Sequence, residues 1–286
     1  MTGLAFAGSI VALQAAAFAD GMPSARGVSI KDAPMSAPAS RWSGFYAGVN
    51  AGAAWTSSDV SNTVCASDPS TCYYSNFGGG AGGRSMNAIG NGSASDTAFT
   101  GGGQIGYNWQ SNNVLLGVEA DINSMRTSAS RSATAAYGPG FTTGGSFTDT
   151  VSTDWLITTR ARLGYATGNM LAYFTGGLAF ANVKHTHSFG EYGFGTGAPC
   201  GSNNINFCEF PSSASTKTGW TIGGGVEWAL DARWSLKAEY LYADFGSVSS
   251  VGSLVTNNGS VVSNGAIAHS ADLTLSTVRA GLNYKF

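Results

Sequence analysis

The connections between its alternating segments constrain this chain most. Eight stretches carry aliphatic and aromatic residues at period two, the spacing of a strand with one apolar face. They are 44–55, 98–109, 114–125, 153–166, 170–183, 217–229, 233–245 and 272–286. The gaps at 110–113, 167–169 and 230–232 hold three or four residues, whereas those at 56–97, 126–152, 184–216 and 246–271 are long. Long and short gaps therefore alternate along the whole array. A soluble sandwich has no reason to collect every long connection at one end. A transmembrane barrel does so by construction, with tight periplasmic turns and extended outer loops. Each segment also reaches the ~9–11 residues that a tilted strand needs to cross a bilayer. The expectation is an all-β fold: an eight-stranded antiparallel up-and-down transmembrane barrel over residues 42–286.

The charges test that register. Only 10% of the residues are charged, against a usual ~25%. With faces set by apolar residues alone, Val114, Leu116, Val118, Ala120 and Ile122 point outward, which turns Glu119 and Asp121 inward. Trp155, Ile157, Ala161, Leu163 and Tyr165 do the same for Arg160 and Arg162. Trp220, Ile222, Val226 and Trp228 place Glu227 inside, and Trp234, Leu236, Ala238, Tyr240 and Tyr242 place Lys237 and Glu239 inside. The last strand, with Val278, Ala280, Leu282 and Tyr284 outward, adds Arg279. Hairpin geometry sets Glu119 level with Arg160 and Glu239 level with Arg279. Eight strands leave an interior just wide enough for side chains to fill, so these charges are expected to plug the lumen. Trp55, Trp109, Trp155, Trp228, Trp234, Tyr165, Tyr284 and Phe286 lie near the segment ends and point outward, where a barrel keeps its interfacial aromatics. A net charge of −2 gives no electrostatic reason to expect nucleic acid as a partner.

Residues 1–19 read as a secretory signal. An alanine-rich apolar run ends in Ala17-Phe18-Ala19, an A-x-A-like cleavage site, although Met1-Thr2-Gly3 carries no positive charge. Residues 20–41, rich in Pro, Ala and Ser, read as an extended periplasmic linker. Four cysteines allow three connectivities; the local pairs Cys65–Cys72 and Cys200–Cys208 need the least loop-closure entropy and suit an oxidising compartment. Neither pair has the spacing of a zinc site.

Three sharper motifs compete with bland readings. Gly101-x-Gly103-x-x-Gly106 matches a dinucleotide fingerprint, which requires a strand before it and a helix after it; Ile105, Tyr107 and Trp109 instead continue a strand, and small residues for lumen packing are the ordinary explanation. His185 and His187 share a face at the end of the fifth segment. A metal or haem contact is the sharp reading, and exposed polar residues at a loop base the ordinary one. His187-Ser188 and His269-Ser270 are fragments of a hydrolase triad with no acid placed beside them.

WSGFYAGVNAGAAW at 42–55, TGGGQIGYNWQ at 100–110, LAYFTGGLAFA at 171–181 and VRAGLNYKF at 278–286 resemble the small porin-like outer-membrane barrels of Brucella and rhizobia. That family of major surface proteins is related to the opacity proteins and the OmpA membrane domain. The resemblance spans 42–286 apart from the loops. It implies a Gram-negative outer membrane, no catalytic residues and no cofactor. It also implies lipid and lipopolysaccharide as surroundings, and a barrel-assembly machinery that reads the strand ending in Phe286. The function expected is non-enzymatic: envelope integrity and cell-surface properties, with a plugged lumen. The alternative is a narrow pore, or ligand (haem) binding or adhesion by the loops, whose partner the sequence does not name.

Overall fold

The computed structural model describes residues 41–64, 81–140, 142–192, 208–209, 212–255 and 260–286. Among the described residues there are eight long strands: β1 (Gly44–Val64), β2 (Gly92–Ser111), β3 (Val114–Ala136), β4 (Gly144–Thr167), β5 (Met170–Tyr192), β7 (Ser212–Ala229), β8 (Trp234–Val255) and β9 (Val261–Lys285). A ten-residue helix, α1 (Ala81–Gly90), precedes β2, and the two-residue β6 (Cys208–Glu209) precedes β7. Each long strand pairs antiparallel with its neighbour in sequence, and β1 pairs with β9 from Tyr46↔Lys285 to Val64↔Ile267, which closes the ring. Closure removes the free edges that an open sheet would expose. β6 sits between β5 and β8, at Phe189↔Glu209 and Cys208↔Val255.

The three short turns are tight for local reasons. Asn112 and Gly168 take left-handed backbone angles, φ 52° and 57°, which short hairpins require and which Asn and Gly supply at least cost. In the third turn Asp231 Oδ1 accepts the backbone N–H groups of Arg233 and Trp234, each at 2.7 Å. Those two N–H groups hold the Asp231 carboxyl below its ordinary value.

The strands do not stop where the apolar outward face stops; they run 18 to 25 residues, about twice what a bilayer requires. The stretches expected as loops at 126–136, 144–152, 184–192 and 246–255 are continuations of β3, β4, β5 and β8. The faces reverse along the way. Near the short turns, outward residues are Val49, Leu116, Val118, Ile122, Phe174 and Leu282, all exposed. Beyond Trp55 and Trp155 they become Ser57, Asp59, Ser61 on β1 and Ser128, Ser130, Ser132 on β3, while Val60, Val64, Ala129, Val151 and Val183 turn inward and are buried. One half of the cylinder therefore has an apolar exterior and a polar interior. The other half has the arrangement of a water-soluble barrel.

Candidate functional site

The interior is built in layers that repeat from strand to strand. Along β9, running away from the short turns, the buried inward residues include Asn283, Arg279 and Thr277, then Leu275, Leu273 and Ala271, then His269, then Ile267. β4 gives Arg162 and Arg160, then Leu156 and Val151, then Asp149, then Phe147. β5 gives Tyr173, then Ala179, Ala181 and Val183, then His185 and His187, then Phe189. A charged layer, an apolar layer, a histidine layer and a second apolar layer closed by Met86 of α1 thus fill the cylinder. Below them all, Trp42 packs across the short-turn mouth against Leu115, Ala166, Leu171, Tyr173 and Ala229. Its backbone N–H donates to Gln110 Oε1 at 3.0 Å.

All eight charges expected in the lumen lie there, none more than 4% exposed. Glu119 faces Arg160, and Glu239 faces Arg279, in the register read from the hairpins. The network is wider than those pairs. Glu119 is contacted by Arg160, by Arg162 at 3.4 Å and by Lys237 at 2.9 and 3.0 Å. Arg279 donates to both oxygens of Asp121, at 3.1 and 3.0 Å, and to Glu239 at 2.8 Å. Arg160 joins the two halves through Asp121 at 2.7 Å and Glu239 at 3.0 Å. Glu227 accepts from Arg162 at 2.9 Å and from Asn283 at 2.8 Å. Forked guanidinium–carboxylate contacts of this kind satisfy most polar atoms without water.

Two tyrosines complete the layer. The Tyr46 hydroxyl donates to Glu119 at 2.7 Å and accepts from Arg162 at 2.6 Å; the Tyr173 hydroxyl donates to Glu239 at 2.8 Å, and its ring lies 3.9 Å from the Arg162 guanidinium. Sequence reasoning missed both, because each sits beside an outward phenylalanine and aromatics on adjacent positions blur the alternation. The signal available was register: Tyr46 shares its face with Asn50, and Tyr173 shares its face with Thr175.

Glycines make room for these hydroxyls. A Cβ on Gly106 would overlap the Tyr46 hydroxyl, and one on Gly225 would crowd that of Tyr173. Of the three fingerprint glycines only Gly106 is a lumen residue; Gly101 and Gly103 alternate to the outer face, and no helix follows β2. Gly106→Ala is expected to lower stability by about 1–3 kcal/mol through overpacking, measured as a drop in urea midpoint. Gly103→Ala, whose Cβ would meet only the Gly48 carbonyl at 3.7 Å, is the control. Equal effects would refute the assignment.

The aromatics fall into two belts. Trp109, Tyr165, Trp228, Trp234, Tyr284 and Phe286 ring the short-turn end, with Trp234 and Phe286 each about 5 Å from Tyr284. Trp55 and Trp155 lie mid-strand, not at strand ends, and mark the level at which the outer face turns polar. Of the cysteines, Cys208 is disulfide-bonded; Cys65, Cys72 and Cys200 lie outside the described residues, as do 1–40.

The histidines are not exposed loop-base residues. His185 and His187 are 1% and 2% exposed and face the interior, because β5 continues through them. His269 joins them from β9, stacked on His187 with centroids 3.3 Å apart, and Glu209 of β6 approaches both. Burial pushes the Glu209 carboxyl up, but the two imidazoles outweigh it and hold it below its ordinary value; burial likewise lowers His187, against the pull of Glu209. Ser188 and Ser270 alternate to the opposite face from the histidines before them, so neither hydrolase fragment brings a hydroxyl to an imidazole.

A closed antiparallel ring with an apolar, aromatic-belted exterior and an ion-paired interior defines a transmembrane β-barrel. Residues 5–286 match the family described as outer membrane protein beta-barrel domain, and the chain belongs to that family. It is a protein of the Gram-negative outer membrane. A 31 kDa outer-membrane immunogenic protein of Brucella melitensis is 35% identical over 265 residues, covering 91% of this chain and 90% of that one. A 22 kDa outer membrane protein of Rhizobium leguminosarum bv. viciae is 27% identical over 149 residues, 51% and 53% of the two chains. Among solved structures, the outer membrane protease OmpT of Escherichia coli aligns over 85% of this chain and 97% of that one at 11% identity, with a TM-score of 0.41.

Proposed function

We propose that this chain is a non-enzymatic, non-conducting barrel that contributes to envelope integrity and, through its tall polar extension, to the properties of the cell surface. The observation that carries the reading is the filled interior. An ion crossing it would have to pass Trp42, the charged layer and two apolar layers, all built from buried side chains. The apolar band would be solvated by outer-membrane lipid and lipopolysaccharide, and the alternating β9 strand would be what the barrel-assembly machinery engages. The Brucella relative is called immunogenic; a polar extension standing clear of the bilayer supports similar accessibility here. Loop-borne haem capture through His185 and His187 has little support, since both rings face inward beneath an apolar layer. The test is single-channel recording on the purified, refolded protein in planar bilayers. Silence is the expected result, and a large steady conductance would overturn the closed-lumen reading.

A further inference from the structure

The chain has three histidines, at positions 185, 187 and 269, and the fold brings all three into one buried layer. One ligand atom each from His187, Glu209 and His269 lie within 4.8 Å of one another. Glu209 Oε2 is 3.3 Å from His269 Nε2, and Glu209 Oε1 is 3.7 Å from His187 Nε2. Donor atoms arranged tetrahedrally at ~2.0–2.1 Å around a zinc ion stand ~3.4 Å apart. Both separations bracket that edge. We propose that His187, His269 and Glu209 bind a single divalent transition-metal ion, of the zinc class, in the extracellular half of the barrel interior.

The contacts around His269 distinguish this from an ordinary buried hydrogen bond. His269 Nδ1 lies 2.6 Å from Asn62 Oδ1. The Asn62 amide is oriented by its own nitrogen, which donates to Asp149 Oδ2 at 2.8 Å and to the Gly90 carbonyl at 3.2 Å. Its oxygen is therefore the acceptor, and His269 Nδ1 carries the hydrogen. Nε2 is then the ring nitrogen turned to the Glu209 carboxylate, the position of a ligand atom. A proton would satisfy that contact alone and leave His187 Nε2 and Glu209 Oε1, both buried without a hydrogen-bond partner, too far apart at 3.7 Å to serve each other. A metal ion satisfies all three groups together. Asn62 then plays the part of the outer-shell acceptor that fixes a ligating imidazole in its tautomer. Two imidazoles and one carboxylate favour zinc, nickel, cobalt or copper over magnesium or calcium, which prefer oxygen.

The surroundings are shaped for the carboxylate. A Cβ on Gly252 of β8 would coincide with Glu209 Oε1, so the ligand occupies space that only a glycine leaves. The ligands come from β5, β6 and β9, with Asn62 on β1. An ion there would pin the two-residue β6 to the barrel far more firmly than its few ladder contacts.

The experiment uses the untagged full chain, folded in detergent, and zinc ions alone. After equilibrium dialysis one zinc per chain is expected, with Glu209→Gln and His269→Gln weakening binding by at least ~100-fold and Asn62→Ala by ~10–100-fold. Folding of each variant is checked by its mobility in unboiled gel electrophoresis. Absence of stoichiometric zinc in the wild type, or its retention by folded Glu209→Gln or His269→Gln, would overturn the site. Should those variants not fold, the visible spectrum of wild-type protein loaded with cobalt(II) decides. Bands of a four- or five-coordinate ion bound to nitrogen support the proposal, and the spectrum of the aquated ion refutes it.

Discussion

Glu119→Gln is expected to lower the unfolding free energy of the barrel by about 3–5 kcal/mol, the cost of removing one partner from a buried ionic cluster. The change keeps volume and removes one charge. It leaves Arg160, Arg162 and Lys237 converging on a neutral amide in a space where their side chains and that of Glu119 are fully inaccessible. Water cannot screen the excess, so added salt should not rescue the variant. Lys237→Met in the same background returns the interior to three carboxylates and three guanidinium groups, and should recover about 1–3 kcal/mol, the usual range of coupling between residues in contact. Urea titration of Glu119→Gln, Lys237→Met and the double variant in lipid vesicles measures both quantities. A double variant as damaged as the sum of its single changes would show that the charges act separately and that no network exists. The facing pair is too small a unit for this interior: Arg279 bonds both oxygens of Asp121, at 3.1 and 3.0 Å, besides Glu239, so Arg279→Ala strands two carboxylates and Glu239→Ala compensates only one.

The transmembrane half was legible in the sequence because two physical constraints agree there. Period-two apolarity sets the faces, and counting from the short turns at 110–113 and 167–169 sets the level of each residue, so Glu119 stood level with Arg160 although a long connection joins their strands. The extension was not legible. Between Arg126 and Ala136, serine and threonine alternate with alanine, and alanine is too small and too weakly apolar to announce a buried face. The reversal of faces makes this worse, since a strand that changes environment partway looks like a strand that ends. The histidine layer was hidden for another reason. Its members are separated by long stretches of chain, and Glu209 stands in a cysteine- and proline-containing segment with no periodicity at all. Only closure of β1 on β9 brings Asn62 and His269 together. Trp42 stood just outside the first expected strand, 44–55, and was assigned no role; it packs across the short-turn end and closes its mouth.

Val118→Arg should destabilise the barrel by about 2–4 kcal/mol, the cost of a guanidinium near the bilayer midplane on the lipid face of a strand. Ser130→Arg, on the same strand and the same outward face, should stay within about 0.5 kcal/mol of wild type, as an exposed surface change does. Val118 is 48% exposed and lies among Leu116, Ile122 and Leu163, which are 55–58% exposed. In water such a surface would be a large apolar patch, which soluble monomers rarely carry, and arginine there would do no harm. The contrast between the two variants therefore locates the membrane along β3, with Trp155 and Ser124, which pair across β3 and β4, at its outer limit. Refolding into vesicles, followed by urea titration, reads both. If Val118→Arg were neutral, the apolar band would face something other than lipid; if Ser130→Arg were equally damaging, the bilayer would extend over the serine-rich half. Arg126 already supports the expected boundary. It is a native, exposed arginine four residues beyond Ile122, placed on the outer face at the first position where the lipid no longer forbids it.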